Sequence, residues 1–262
     1  MAEKEGGLTH SQELITLWKA EERQPFTGWD FSYLDKRMVE DQAPWSYTTR
    51  AMQLMRQVKA ALDMDTGGGE RLLGMRPAWP KKMVATENYP PNFHLASERL
   101  NPLGVQVHSV RLTRHDPMPF ADGEFGLVLN RHAAFNSREV ARILLPGGTF
   151  LTQQVDGHWA EDLEAVFGTH PQWPDATLEN SLAWLEAAGL KIITGQEFIG
   201  KLTFSDVGAI VYYLRAVPWL VPGFTVDTHL DGLLQLQARF DSGQELSFQA
   251  GKFLIEAQKP VT

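Results

Sequence analysis

Ten residues, Ala61-Leu62-Asp63-Met64-Asp65-Thr66-Gly67-Gly68-Gly69-Glu70, constrain the fold of this chain more than any other stretch. The apolar run reads as a buried strand, the glycines as a turn and Glu70 as the start of a helix. A second apolar run, Met83-Val84-Ala85-Thr86, follows and ends on Glu87. Strand, turn, helix and strand in that order make a βαβ unit and so require a parallel sheet. Two neighbouring strands then end in a flexible backbone and an acidic side chain, and nucleoside cofactors bind at such edges.

The rest of the chain extends the alternation. Thr9 with Gln12 marks a helix cap, and Leu14, Ile15, Leu17 and Trp18 recur at helical spacing to about residue 23. A turn-rich segment carrying Trp29, Phe31, Trp45 and Tyr47 separates it from a helix spanning Ser46 to about Lys59. Strands are predicted at 60–64, 82–86, 105–110 and 125–130, with Pro91 and Gly104 bracketing a helix between the second and third. Ser137 caps a predicted helix through Leu145, Pro146-Gly147-Gly148 breaks it, and 149–155 is the fifth strand. A helix over 177–188, a strand over 190–198, helices over 205–217 and 226–240 and a last strand over 248–256 complete the pattern.

Composition narrows the chemistry. The chain has 262 residues, 43% of them apolar, enough for a substantial core. No apolar run approaches the ~18 residues of a membrane span, and the charged start is followed by no signal-type segment, so cytoplasm is the expected location. With no cysteine, thiolate metal sites, disulfides and cysteine nucleophiles drop out. The eight histidines show no metal-ligand spacing, and no metal is expected. A net charge of -8 argues against a broad phosphate-binding face, hence against nucleic acid, and favours a small-molecule substrate. The oligomeric state is not encoded in any of these features.

Read together, the motifs resemble those of the class I S-adenosylmethionine-dependent methyltransferases, in particular the type 11-like members. Leu62 to Gly69 is similar to that family's first motif, a strand ending in an acidic residue before a GxGxG turn. Glu87 matches the acidic end of the second strand. Met118-Pro119-Phe120-Ala121-Asp122-Gly123-Glu124-Phe125-Gly126-Leu127-Val128 and Ile143-Leu144-Leu145-Pro146-Gly147-Gly148 resemble the stretches before and after the fourth strand. These anchors cover about residues 58–155. The resemblance implies a Rossmann-like, seven-stranded, mostly parallel α/β sheet with helices on both faces. It also implies an N-terminal arm and lid over 1–45 and a methyltransferase domain over 46–262, with a helical insertion near 203–245.

The implied cofactor is S-adenosyl-L-methionine, held by Asp63, Asp65, Thr66, Gly67, Gly68, Gly69, Glu87, Asn88, Asp116 and Asn130. Glu87 would take the ribose hydroxyls and Asp116 the adenine amino group. Three positions depart from the family pattern. Asp65 replaces the first motif glycine, and either obstructs the cofactor or faces its ammonium or sulfonium charge; the second is the expectation. Gly126 stands where aspartate is usual, and Asp116 is the one acidic candidate after the third strand. A dinucleotide site is disfavoured because Leu72 occupies the third small position that G-x-G-x-x-G requires.

Arg131 and His132 end the fourth strand, where this fold places the reacting methyl. His132 is the candidate general base, an effect worth about 10²–10⁴-fold; a histidine holding the turn by a backbone hydrogen bond is the alternative. Arg131 either clamps a substrate anion or forms an internal ion pair. Trp29, Trp45, Gln153 and Gln154 are the candidate substrate contacts, with packing or sheet-end solvation as the simpler explanations. Asp206 is a further candidate from the helix over 205–217. The expected activity is methyl transfer to an O or N nucleophile of a small molecule. The alternatives are an RNA methyltransferase, which lacks its Asn-Pro-Pro-Tyr signature here, and a non-catalytic S-adenosylmethionine-binding protein.

Overall fold

In a computed structural model the described residues are 2–26 and 30–261, with side chains in the first helix from residue 11 onward. Trp29 lies outside them. In chain order the elements are α1 (Ala2–Glu22), β1 (Met38–Glu40), α2 (Tyr47–Met55), β2 (Ala60–Met64), α3 (Glu70–Gly74), β3 (Lys82–Thr86), α4 (Pro90–Leu100), β4 (Gln106–His108), β5 (Phe125–Arg131), α5 (Ser137–Ile143), β6 (Leu144–Val155), α6 (Glu161–Val166), α7 (Leu178–Ala187), β7 (Lys191–Phe204), α8 (Val207–Ala216), α9 (Leu230–Asp241) and β8 (Leu246–Gln258).

The strand order is β1-β7-β8-β6-β5-β2-β3-β4. β2 pairs in parallel with β3 on one side and β5 on the other, β4 and β6 extend the parallel set, and β8 runs antiparallel to β6. The winding direction therefore reverses at β2, the position where open α/β sheets bind ligands. The sheet has eight strands rather than the expected seven, because Met38–Glu40 pairs antiparallel with the end of β7.

The described residues divide into two compact units. One contains 43–156, 175–198 and 252–262. Its strands bury both faces, so side chains alternate between two cores. Ala61, Met83, Ala85, Leu127, Leu129 and Leu151 meet α2 and α4 through Tyr47, Ala51, Leu54, Met55, Ala96 and Leu100. Leu62, Met64, Val84, Val128, Phe150 and Ile255 meet α5 and α7 through Val140, Ile143 and Leu185. Each fully buried side chain of this size contributes roughly 1.5–3 kcal/mol of transfer free energy. Gly126 is explained by this packing. A Cβ there would lie 2.9 Å from Val58 Cγ1, so the aspartate usual at this position has no room.

The other unit contains the residues up to 42, with 157–174 and 199–251. Its core gathers the nearly all-buried α8 with Trp18, Leu34, Leu163, Leu233, Leu236 and Phe248. Asp206 caps α8, accepting from the Ala209 N–H at 2.8 Å, and takes Arg37 at 2.7 and 3.0 Å. Phe31 packs on Phe26 and Tyr213. No described helix is long and apolar enough to cross a membrane.

Several boundaries differ from those expected. Asn136, not Ser137, caps α5, because its side chain accepts from the N–H groups of Arg138 and Glu139. Pro146-Gly147-Gly148 lies within β6 as a bulge. The ladder to β5 jumps there from Leu144 to Thr149, and Gly147 (φ 77°) and Gly148 bond to Lys259 instead. The third strand shrinks from 105–110 to Gln106–His108, while the sixth lengthens to Phe204. α4 begins at Pro90, one residue before the expected Pro91.

Candidate functional site

The glycine turn between β2 and α3 is held from below by β3. The Asp65 N–H donates to Thr86 Oγ1 at 3.1 Å, and the Thr66 N–H to the Thr86 carbonyl at 2.8 Å. Asp65 has φ 50°, Gly67 63° and Gly69 81°, all in the left-handed region. For Asp65 this costs about 1–2 kcal/mol, and such strain persists where the surroundings enforce it. Gly69 is fixed by α4, since a Cβ would meet Leu100 Cδ1 at 2.8 Å. Gly68 leaves room for the Glu70 carboxylate, which would lie 2.4 Å from such an atom, and Arg99 pairs with Glu70 at 2.6 Å while donating to the Gly68 carbonyl.

Three carboxylates converge around this turn. Asp63 and Glu87 are buried and Asp65 is half-buried. Burial pushes Asp63 up to about 6, against the Thr66 hydroxyl, Arg71 and Arg131. Asp65 rises to about 7 through burial and repulsion by Glu87 and Asp63. Glu87 is also raised by burial, and the N–H groups of Tyr89, Gly67 and Asn88 oppose the shift, the first at 2.8 Å. Asp65 Oδ1 is buried without a hydrogen bond. A buried acceptor left without a donor costs roughly 1–3 kcal/mol. Asn88 is exposed. Asp116 is half-buried in the loop after β4, anchored by its N–H to Thr113 Oγ1 at 3.0 Å and its carbonyl to Asn136 Nδ2 at 3.2 Å.

A second group forms at the ends of β5 and β6. Asn130 is fully buried, and its Oδ1 accepts from Thr152 Oγ1 at 2.8 Å and from Gln154 Nε2. Its own Nδ2 has no acceptor. Gln154 Nε2 also reaches the Ala133 carbonyl at 3.0 Å, so this amide braces the turn after β5. Gln153 faces the other way. Its Oε1 accepts from Trp45 Nε1 at 2.9 Å, and its Nε2 meets His132 Nε2 at 3.2 Å. The His132 backbone is left-handed (φ 58°), and its N–H donates to the Gln153 carbonyl at 2.8 Å. His132 is solvent-exposed, yet desolvation by surrounding protein is the first cause that holds its ring well below the usual histidine range. Arg131, Lys252 and Arg71 push the ring the same way.

The structure thus brings Asp63, Asp65 and Glu87 together around Thr66 and the glycines, and joins Trp45 to Gln153 and His132. It commits Gln154 to bracing and Asp206 to a helix cap. Arg131 acts electrostatically on both groups. Arg71, Thr86 and Lys252 were not among the sequence candidates. Arg71 follows the glycine turn by two residues and donates to Thr48 Oγ1 at 3.1 Å. Trp45 also borders a concavity of about 270 Å³ with Ser46, Thr49, Arg50 and Glu256, the last two paired at 2.7 Å. Among the described residues, no group of three or more histidines and carboxylates could hold a metal.

The topology is shared with known structures. A protein from Bacillus halodurans named as a methyltransferase is 20% identical with a TM-score of 0.59, over 81% of this chain and 98% of that one. A geranyl diphosphate methyltransferase solved with GPP and sinefungin is 15% identical with a TM-score of 0.50, over 82% and 77%. The [4+2]-cyclase SpnF is 16% identical with a TM-score of 0.50, over 86% and 87%. No protein-family model and no curated protein sequence matches the chain. The fold is that of the class I methyltransferases, and the cyclase illustrates that the fold by itself does not fix the reaction.

Proposed function

We propose that the chain is an S-adenosyl-L-methionine-dependent methyltransferase acting on an O or N nucleophile of a small molecule. The observation that carries this reading is the carboxylate group at the ends of β2 and β3, whose charges repel one another and whose Asp65 Oδ1 has no donor. An isolated carboxylate group of this kind is costly, and a cationic partner offsets the cost. The residues suit such a cofactor. Glu87 would take the ribose hydroxyls, and Asp63 and Asp65 the ammonium and sulfonium charge. The backbone of Thr66 to Gly69 would pass close beneath, with Asn88, Asp116 and Asn130 completing the contacts. When bound, the cofactor supplies a methyl group already activated by the positive sulfur.

What remains for the protein is alignment. Holding an acceptor in line can supply as much as about 7–11 kcal/mol. His132, Arg131, Trp45, Gln153, Gln154 and Trp29 are the proposed acceptor-side residues, with His132 and Arg131 nearest the chemistry. The net charge of -8 favours a small acceptor over RNA. Calorimetric titration at pH 8 tests the reading. Saturable binding of S-adenosylmethionine is expected, and no binding at millimolar ligand would remove it.

A further inference from the structure

Trp45 Nε1 is a donor only, so the Gln153 oxygen must face it. The Gln153 amide nitrogen, also a donor only, is thereby turned toward His132 Nε2 at 3.2 Å. That ring nitrogen must accept, which places the imidazole proton on Nδ1. Nδ1 has no partner among the described residues. Gln153 grips His132 twice, through this side-chain bond and through its carbonyl on the His132 N–H at 2.8 Å. A left-handed non-glycine residue held in this way keeps one orientation. The charged groups acting on the ring are Arg131, Lys252 and Arg71, all cationic, and each opposes a second proton.

We infer that His132, fixed by the Trp45–Gln153 relay, is a neutral hydrogen-bond donor through Nδ1–H and that the methyl acceptor it receives is a carboxylate. This deepens the methyltransferase reading and rests on it. The lone pair a base would use is already engaged by Gln153, so a nucleophile that must lose a proton finds no acceptor for it on this ring. A carboxylate needs none. One of its oxygens accepts from Nδ1–H while the other attacks the methyl carbon, and the positive field of Arg131, Lys252 and Arg71 at the ring favours its negative charge. The O–C bond forms as the C–S bond breaks, the electron pair leaves on sulfur, and no proton changes hands. Gln153 and Trp45 are positioning residues, because they act through the imidazole.

Long-range ¹H–¹⁵N correlation of the His132 ring in the full chain tests the relay. The wild type should show the Nδ1–H tautomer and a ring that titrates well below the ordinary histidine value. An Nε2–H tautomer, or a ring titrating near its ordinary value of about 6.5, overturns the inference. Gln153→Glu replaces the donor with an acceptor, and should move the proton to Nε2 and raise the ring pKa by at least about one unit. An unchanged tautomer in that variant also counts against the relay. The acceptor class is read on the wild type with S-adenosylhomocysteine present, using benzoate, benzyl alcohol and benzylamine as millimolar probes. Benzoate should shift the His132 Nδ1 resonance most. A larger shift with either other probe, or none with any, refutes the carboxylate assignment. S-adenosylhomocysteine shifts of the Asp65–Gly69 amides are recorded first. Their absence strikes the methyltransferase reading itself, whatever the ring shows.

Discussion

The ends of β2 and β3 and the ends of β5 and β6 belong to one parallel set of strands, yet they treat buried polar groups in opposite ways. At the first pair, Asp63, Asp65 and Glu87 sit together with few donors, and each carboxyl is raised. At the second, Asn130, Gln153, Gln154 and His132 bond largely to one another and to Trp45, Thr152 and Ala133. The closed network fixes geometry. The open one stores electrostatic cost that an external cation relieves. Arg131 and Arg71 are cations acting on both. Under the proposed function, the difference assigns the cationic cofactor to the uncompensated acid and the acceptor to the pre-set donors.

The comparison can be broken first at Glu87. Glu87→Ala should weaken S-adenosylmethionine binding at least about tenfold by calorimetry, while leaving the His132 tautomer as it is. Unchanged affinity would refute the ribose assignment.

Acidification is the next lever. Protons compete with the cofactor for Asp65 and Asp63, which ionise near 7 and 6, so affinity should fall roughly ten- to twentyfold between pH 8 and 6. Affinity that rises or stays flat over that range contradicts the acid cluster.

Stability without ligand should move the opposite way. The folded state holds more protons than the unfolded chain wherever pH lies between the ordinary carboxyl value and the raised one. The contribution of Asp63 and Asp65 is therefore fully present below about pH 4 and lost as pH rises through 6 and 7. Asp65→Asn should remove much of that loss, stabilising the protein at pH 8 by roughly 1–3 kcal/mol in denaturant titration while weakening the cofactor. A variant less stable than wild type at pH 8 would mean that the carboxylate is compensated after all.

The smallest binding effect is expected at the second pair of strand ends. His132→Ala should leave cofactor affinity within about twofold and slow methyl transfer. Full turnover in that variant would mean the acceptor needs no help from the ring.

Much of this was legible in the sequence. The strands over 60–64 and 82–86 follow from short apolar runs between breakers, and both stand as β2 and β3. Elements without such punctuation were missed. β1 is three residues with no alternation to read, and α6 begins at Glu161 after Ala160, which offers no side-chain cap. The break at Pro146-Gly147-Gly148 is real but local, because Lys259, more than a hundred residues on, restores the pairing. Glu87 and the glycines were visible because their spacing is short. The Trp45–Gln153–His132 relay was not, since its bonded pairs are 108 and 21 positions apart: all three were candidates, and only the sheet register shows that Gln153 rather than Gln154 turns to the histidine.

The most direct test counts protons. Calorimetry of S-adenosylmethionine binding at pH 6.5, in buffers of different ionisation enthalpy, reads how many leave when the ligand enters. The account predicts net release of roughly half a proton or more as Asp65 and Asp63 ionise against the cation. Binding with no release, or with uptake, would contradict it.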